Sequence, residues 1–253
     1  MLLTLMTNES LTMSPEFSSH CPFRRRRKEA RPAELLEAAL TLFVEKGFAA
    51  TRSEEVARAA GVSKGTLYLY FPSKEELLKA VIQHYLADQI AAGAAEAAAL
   101  DGPTPEVMED LLVTWWSRMY DSPASGVFKL VITEVRNFPE IAKFYADSVI
   151  KPGEALVAGL LERGIARGEF QPVHVESAVH SILMPLVMLC VHKHSLGACG
   201  VEDACGGALD ADPVSFMRNH VRLIFKGLEV RAPAGAARQP TRRGSESGGR
   251  RAA

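Results

Sequence analysis

Two short helices joined by a glycine turn constrain this chain more than any other feature of its sequence. The first is predicted over residues 53–60, capped either by its own first serine or by Thr51, which has a glutamate three residues after it in the capping-box spacing. Gly61 begins a turn, and Ser63 caps a second short helix over residues 64–70. Two helices joined by a short turn that contains glycine form a helix-turn-helix. The sequence therefore predicts a unit of the kind that places its second helix in a groove of DNA.

Longer helices flank this motif. One is predicted over residues 32–46, with a proline at its first position, where a missing N–H does no harm. Gly47 supplies the left-handed residue that ends it, and Phe48 can fold back onto Phe43. Ser73 and the glutamate three residues later form a second capping box, which opens a long fourth helix.

The rest of the chain also has helical periodicity, divided by glycine and proline, and no credible strand pattern. The predicted fold class is all-α, with a three-helix N-terminal helix-turn-helix domain, a larger C-terminal helical domain and roughly nine helices. Four parts are expected: a disordered basic N-terminal extension at 1–29, the helix-turn-helix domain at 30–76, the C-terminal domain at 77–230 and a disordered Arg-rich tail at 231–253.

Charge is distributed unevenly, although the net charge is only −1. Residues 24–80 hold twelve Lys and Arg against eight Asp and Glu, whereas residues 81–230 hold eleven against nineteen. A basic front end on an acidic body is typical of a protein with one face that meets a polyanion.

Other classes of protein are disfavoured. The four cysteines include no CxxC pair, which fits a reducing cytoplasm, and the apolar stretch at 182–191 is too short to cross a membrane, so a cytoplasmic protein is expected. No catalytic motif is present, and we expect neither an enzyme nor a cofactor. Cys190 and His194 lie one helical turn apart, but no further ligands with clear spacing accompany them, so no metal site is expected.

The second short helix has the surfaces that reading DNA requires. At about 100° per residue, Leu67 and Phe71 point inward, where they dock the helix. Gly65, Thr66, Tyr68 and Leu69 lie on the outward side. Gly65 lets the backbone approach the bases closely, and Thr66 and Tyr68 can contact base edges. The groups placed to hold phosphate are Lys64, Tyr70, Lys74 and the helix N-termini at Ser53 and Ser73.

Residues 47–79, GFAATRSEEVARAAGVSKGTLYLYFPSKEELLK, resemble the DNA-binding signature of the TetR/AcrR family of transcriptional regulators, and residues 60–77 carry nearly every element in order. The resemblance implies a C-terminal ligand-binding domain and a homodimer formed by its last two helices. It implies DNA contacts at Ser53, Ser63, Lys64, Gly65, Thr66, Tyr68, Tyr70 and Lys74. The extension with Arg24–Lys28 departs from the usual pattern; this basic arm either contacts DNA or is simply solvated.

Large side chains stand out on the small-residue-rich helices of the C-terminal half. They either line a lipophilic pocket or form ordinary core. The candidate ligand-binding residues are Trp115, Trp116, Met119, Phe128, Phe144, His180 and Met184, and His180 has the alternative of a satisfied core histidine. The groups considered for orienting a ligand are Arg118, Glu134, Arg136 and His180.

Together these features predict a sequence-specific DNA-binding regulator. We interpret it as a repressor that binds a palindromic operator in double-stranded DNA as a homodimer and leaves it when a small lipophilic effector binds. The alternative is an activator or architectural DNA-binding protein of the same fold without a working ligand switch.

Overall fold

Nine helices, apart from two single 3₁₀ turns, build the part of the chain that the computed structural model describes, residues 22–199 and 212–228. No extended strand lies in these ranges, which confirms the all-α prediction. Two helices, α4 and α7, are interrupted by one π-helical turn each, at Gln83–Ala87 and Ala146–Ile150. The helices are α1 (Pro22–Lys46), α2 (Ser53–Ala59), α3 (Lys64–Tyr70), α4 (Lys74–Ile82 and Asp88–Ala99), α5 (Thr104–Asp121), α6 (Gly126–Glu134), α7 (Pro139–Tyr145 and Lys151–Ala166), α8 (Val175–Lys193) and α9 (Pro213–Leu228).

Helix α1 begins ten residues earlier than predicted. It starts at Pro22 and carries Pro32 in its interior instead of at its first position. The residues between are rich in Arg, Lys, Glu and Ala, all of which favour a helix, so the single hydrogen bond removed by Pro32 does not end it. The disorder expected for residues 1–29 is therefore wrong for residues 22–29; residues 1–21 and the tail at 231–253 lie outside the described ranges.

The end of α1 follows the predicted pattern. Gly47 has a positive φ of 87°, and its N–H donates to the Phe43 carbonyl at 3.0 Å. The chain turns back so that the rings of Phe43 and Phe48 meet edge to face, with centroids 5.3 Å apart. Because both rings are completely buried, this turn fixes where α2 begins.

Neither predicted cap of α2 is right: Thr51 does not cap the helix, and Ser53 is its first helical residue. The buried hydroxyl of Thr51 donates to the Gly47 carbonyl at 2.8 Å and so closes the loop before the helix. The N-cap residue is Arg52, whose backbone N–H donates to the Glu55 carboxylate at 3.0 Å. The two later caps are as predicted, because Ser63 and Ser73 accept from the N–H groups of Thr66 and Glu76.

The C-terminal domain is a bundle in which α8 packs against α6, α7 and α9, and α9 packs against α5. Glu109 of α5 joins α9 through Arg218 and Arg222, with N–O distances of 2.9 Å to each. By length and composition alone α8 could cross a membrane, a weak signal that helices in the core of a bundle also give. Of this apolar stretch, 33% is buried within the protomer.

Candidate nucleic-acid interface and effector cavity

Helix α3 exposes one face and buries the other, as its sequence predicts. Leu67 is completely buried and anchors the helix to the domain core. On the opposite side Gly65 is exposed, Thr66 is half-exposed and Tyr68 has 38% of its surface accessible. The helix can therefore enter a groove with this face forward without disturbing its packing.

Leu69 is the most exposed large apolar side chain of the described residues, at 85%. It lies on α3 beside Tyr68, and the sequence reasoning placed it outward without assigning it a role. An exposed leucine on a face otherwise suited to reading bases can contact a thymine methyl group. An exposed leucine on a helix of only seven residues is the signal that could have identified Leu69 as a candidate contact.

Two predicted DNA-contact residues, Lys64 and Ser53, are less available to DNA than their sequence positions suggest. The Lys64 ammonium forms an ion pair with Glu54 of α2, and hydrogen bonding to Glu54 raises the pKa of Lys64. Ser53 is largely buried at the start of α2, so its backbone is better placed than its hydroxyl to meet phosphate. Lys64 remains about half-exposed and within reach of solvent on the α3 side.

Lys74 is more deeply engaged. Its ammonium donates to the backbone carbonyls of Phe48, Ala49 and Thr51 at 2.9, 3.3 and 3.1 Å, and lies 4.5 Å from the centre of the Phe48 ring. Three donors matched to three carbonyls satisfy a lysine ammonium completely. A phosphate contact by Lys74 would have to share this ammonium with the loop that it holds.

A cavity of about 330 Å³ lies between α4, α5, α6, α7 and α8. Its walls are almost entirely apolar, and at one side they reach the surface through Ile132, Ile150, Met184 and Met188, which are substantially exposed. Both tryptophans of the chain line it, with the Trp116 ring stacked on Phe128 at 5.6 Å. A cavity of this size and composition fits a small lipophilic molecule.

The structure brings five of the seven candidate ligand residues to this cavity: Trp115, Trp116, Phe128, His180 and Met184. Met119 and Phe144 are not in its wall; Met119 is buried, and Phe144 is half-buried against the core. Apolar periodicity identifies the inner face of a helix but does not separate the part of that face that packs on neighbours from the part that borders a void.

The polar groups of the cavity differ from those expected. His180 is in its wall, whereas Arg118, Glu134 and Arg136 are not. His180 is not a core histidine, since 47% of its side chain is exposed and its Nε2 lies 3.1 Å from the Glu154 carboxylate. Sequence reasoning missed Glu154 because its partner is on another helix.

Cys190 and His194 do not form a recognisable ligand pair. Cys190 is buried, and burial raises the pKa of its thiol to about 12, whereas the Nε2 of His194 lies 2.8 Å from the Ser125 hydroxyl. Within residues 22–199 and 212–228 no three metal-ligating side chains come together.

Comparison with known proteins gives a match for each of the two domains. Residues 35–81 match the family model of the bacterial regulatory proteins of the tetR family, and residues 106–197 match that of the C-terminal domain of AefR-like transcriptional repressors. An HTH-type transcriptional regulator, YfiR of Bacillus subtilis, is 34% identical over 152 residues, which cover 58% of this chain and 71% of the relative. The chain belongs to the TetR family.

Its relatives include regulators with named roles. The HTH-type transcriptional repressor KstR2 of Rhodococcus jostii is 31% identical over 145 residues, covering 57% of this chain and 70% of that protein. Among solved structures, the fatty acid degradation regulator FadR of Bacillus halodurans has a TM-score of 0.65 at 21% identity, covering 79% of this chain and 97% of FadR. The ketosteroid transcriptional regulator KstR2 of Mycobacterium tuberculosis has a TM-score of 0.58 at 19% identity, covering 79% and 96%. At such identities the structures show a shared fold, and the TetR-family chain is a DNA-binding transcriptional regulator.

Proposed function

We propose that this TetR-family protein is a cytoplasmic, homodimeric repressor that a small lipophilic effector releases from a palindromic operator. The observation that carries the proposal is that one helix serves both sites. Helix α4 begins with Lys74, which holds the loop in front of α2, and it reaches the cavity wall with Leu86 and Ile90. A molecule that displaces α4 at the cavity therefore displaces the DNA-reading unit.

The π-helical turn Gln83–Ala87 lies on α4 between Lys74 and Ile90. It contacts the other π-helical turn, Ala146–Ile150 of α7, and both turns contribute residues to the cavity wall. π-Helical turns are often found at functional sites, because they widen the helix and change the direction of side chains. This pair supports a route from cavity to α4 that passes through a locally irregular helix.

The outward face of α9 supports the homodimer. Met217, Val221 and Phe225 are buried within the protomer, so these residues are not available to a partner. The other side of α9 presents Leu223, which is 70% exposed, and half-exposed Ile224. An apolar face on the last helix fits a two-fold interface with a second copy.

The test has two steps with the full-length protein. Genomic fragments that the protein retains are first used to isolate its operator. Lipophilic compounds that quench the fluorescence of Trp115 and Trp116 are then titrated against the protein–operator complex. We expect such compounds to lower operator affinity by about 5- to 150-fold, the usual range for coupled sites. Compounds from several chemical classes that bind the cavity and leave operator affinity unchanged would contradict ligand release.

A further inference from the structure

Apart from the two tryptophans, the polar side chains of the described cavity wall lie at two places, with apolar residues between them. Tyr145 and Glu154 both lie on α7, nine residues apart, and both are in the cavity wall. On the neighbouring helix α8, His180 pairs with Glu154, and Cys190 is close enough to Tyr145 to raise its pKa. The two helices therefore run antiparallel, and the polar groups are separated by about 13–15 Å along their axes.

The Tyr145 end offers one neutral donor. Burial raises the pKa of Tyr145, so its hydroxyl keeps its proton. No hydrogen bond joins the Tyr145 hydroxyl to another described residue, and this hydroxyl is not among the fully buried polar atoms that lack a partner. Since Tyr145 lines the cavity, a ligand oxygen that accepts from it would gain a hydrogen bond inside an otherwise apolar wall.

The His180 end offers a hydrogen-bonded pair. Nδ1 of His180 lies 2.8 Å from the Glu176 carbonyl, which can only accept, so this nitrogen carries a proton. Nε2 lies 3.1 Å from the Glu154 carboxylate. The carboxylate oxygens of Glu154 have further lone pairs that can accept from a ligand hydroxyl.

None of the described residues that line the cavity is a lysine or an arginine. A ligand carboxylate or phosphate would therefore lose its hydration without gaining a free cation, and beside Glu154 it would also meet a negative charge. An apolar ligand without polar ends would leave the Tyr145 hydroxyl unsatisfied.

We infer that this cavity selects an elongated, uncharged lipophilic molecule that carries an oxygen function at each end, with Tyr145 donating to one end and Glu154, held by His180, accepting from the other. This inference rests on the proposed function only in assigning the cavity to an effector. It adds the length, charge and polarity of that effector.

Linear probes of matched length test the inference directly. α,ω-Alkanediols, 1-alkanols and fatty acids are titrated against the full-length protein, with the fluorescence of Trp115 and Trp116 as the readout, which needs no DNA. We expect diols that span the two polar groups to bind about 3- to 10-fold more tightly than alkanols of equal length, one hydrogen bond being involved. Fatty acids should bind more weakly than either.

Two variants test which residue of the cavity binds each end of the ligand. Tyr145→Phe should abolish the advantage of the diol over the alkanol, whereas Tyr85→Phe, which changes a tyrosine outside the cavity wall, should leave it unchanged. Glu154→Gln keeps the shape of the side chain and removes the negative charge that a ligand carboxylate would meet there, so fatty acids should gain affinity relative to diols.

Several results would overturn the inference. In wild type these are equal affinity for diols and alkanols, fatty acids that bind as tightly as diols, or no saturable quenching by any diol. A Tyr145→Phe variant that still binds diols more tightly than alkanols would also overturn it. Diols that bind as expected and do not release the operator would contradict the proposed function and leave this inference standing. Compounds that bind wild type and Tyr145→Phe equally and release the operator would support the proposed function and contradict this inference.

Discussion

The rings of Phe48 and Phe138 meet edge to face, with centroids 4.8 Å apart and planes at 90°. Phe48 belongs to the loop between α1 and α2, and Phe138 is the residue before α7. Because Phe48 also lies under the Lys74 ammonium, this contact joins the DNA-reading domain directly to the helix that forms much of the cavity wall. The two domains are therefore in contact through α7 as well as joined through α4.

Removal of this ring contact should weaken the coupling between effector and operator. Phe138→Ala is expected to lower the free energy of unfolding by about 1–3 kcal/mol and to reduce the fold-change in operator affinity that an effector causes. Anisotropy titrations of labelled operator with and without effector measure the two operator affinities, and the ratio of these affinities is the fold-change. Phe144→Ala is the matched control, since Phe144 is a half-buried phenylalanine of α7 with no ring partner in the described ranges. An unchanged ratio in Phe138→Ala would exclude this contact from the switch.

The reading face of α3 should determine which sequence is bound. Thr66→Ala, Tyr68→Ala and Leu69→Ala are each expected to reduce the discrimination between operator and random DNA, by about 1–3 kcal/mol where the side chain contacts a base. Competition binding against both DNAs measures this. If one of these variants weakens binding to operator and random DNA equally, that residue contacts the backbone and not a base.

Lys74 should act mainly on stability. Lys74→Met keeps the apolar stem over Phe48 but leaves three carbonyls without their donor, so the free energy of unfolding should fall by about 2 kcal/mol. Urea denaturation measures the loss. The salt dependence of DNA binding tests the phosphate contact that the sequence suggested for Lys74. If the slope of log affinity against log salt concentration is lower by about one in the variant, Lys74 neutralises a phosphate. The observed contacts of Lys74 predict an unchanged slope.

Much of this could be predicted from sequence because the determining interactions are local. The caps at Ser63 and Ser73 and the turn at Gly47 depend on neighbouring residues, and all three are confirmed. The pairing of Glu154 with His180 and the engagement of Lys74 join residues 26 positions apart, which periodicity does not report. The early start of α1 was missed because Pro32 is equally acceptable at a first turn and, at the loss of one hydrogen bond, inside a helix.

Acid should weaken the junction between α5 and α9. Burial raises the pKa of Glu109, but hydrogen bonds from Arg222 and Arg218 outweigh it, and the net pKa lies below the usual 4.5. A lowered pKa in the folded state stabilises the protein above pH 4.5, and this contribution is lost as the pH falls below that value towards the folded-state pKa. Glu109→Gln should cost about 1 kcal/mol at neutral pH and little once the pH is below the folded-state pKa of Glu109. A variant that is equally destabilised at both pH values would show that the loss is steric.

The exposed face of α9 should be required for dimerisation. Leu223→Glu places a charge where 70% of a leucine is accessible in the protomer, so the fold should persist while the dimer dissociates. Ala166→Glu, at the exposed end of α7, is the control for an added charge. Analytical ultracentrifugation at micromolar concentration measures both. A dimeric Leu223→Glu variant would place the interface elsewhere, and a monomeric wild type would contradict the homodimer.

The central claim is that two copies of the chain read DNA together, and a footprint on the isolated operator tests it most directly. A two-fold dimer with one α3 in each half should protect two inverted half-sites whose centres lie about 34–36 Å apart, one turn of DNA, or somewhat further where the DNA or protein adjusts. Leu223→Glu should lose this pattern together with its dimer. A protected region without dyad symmetry, or uniform protection regardless of sequence, would contradict the account.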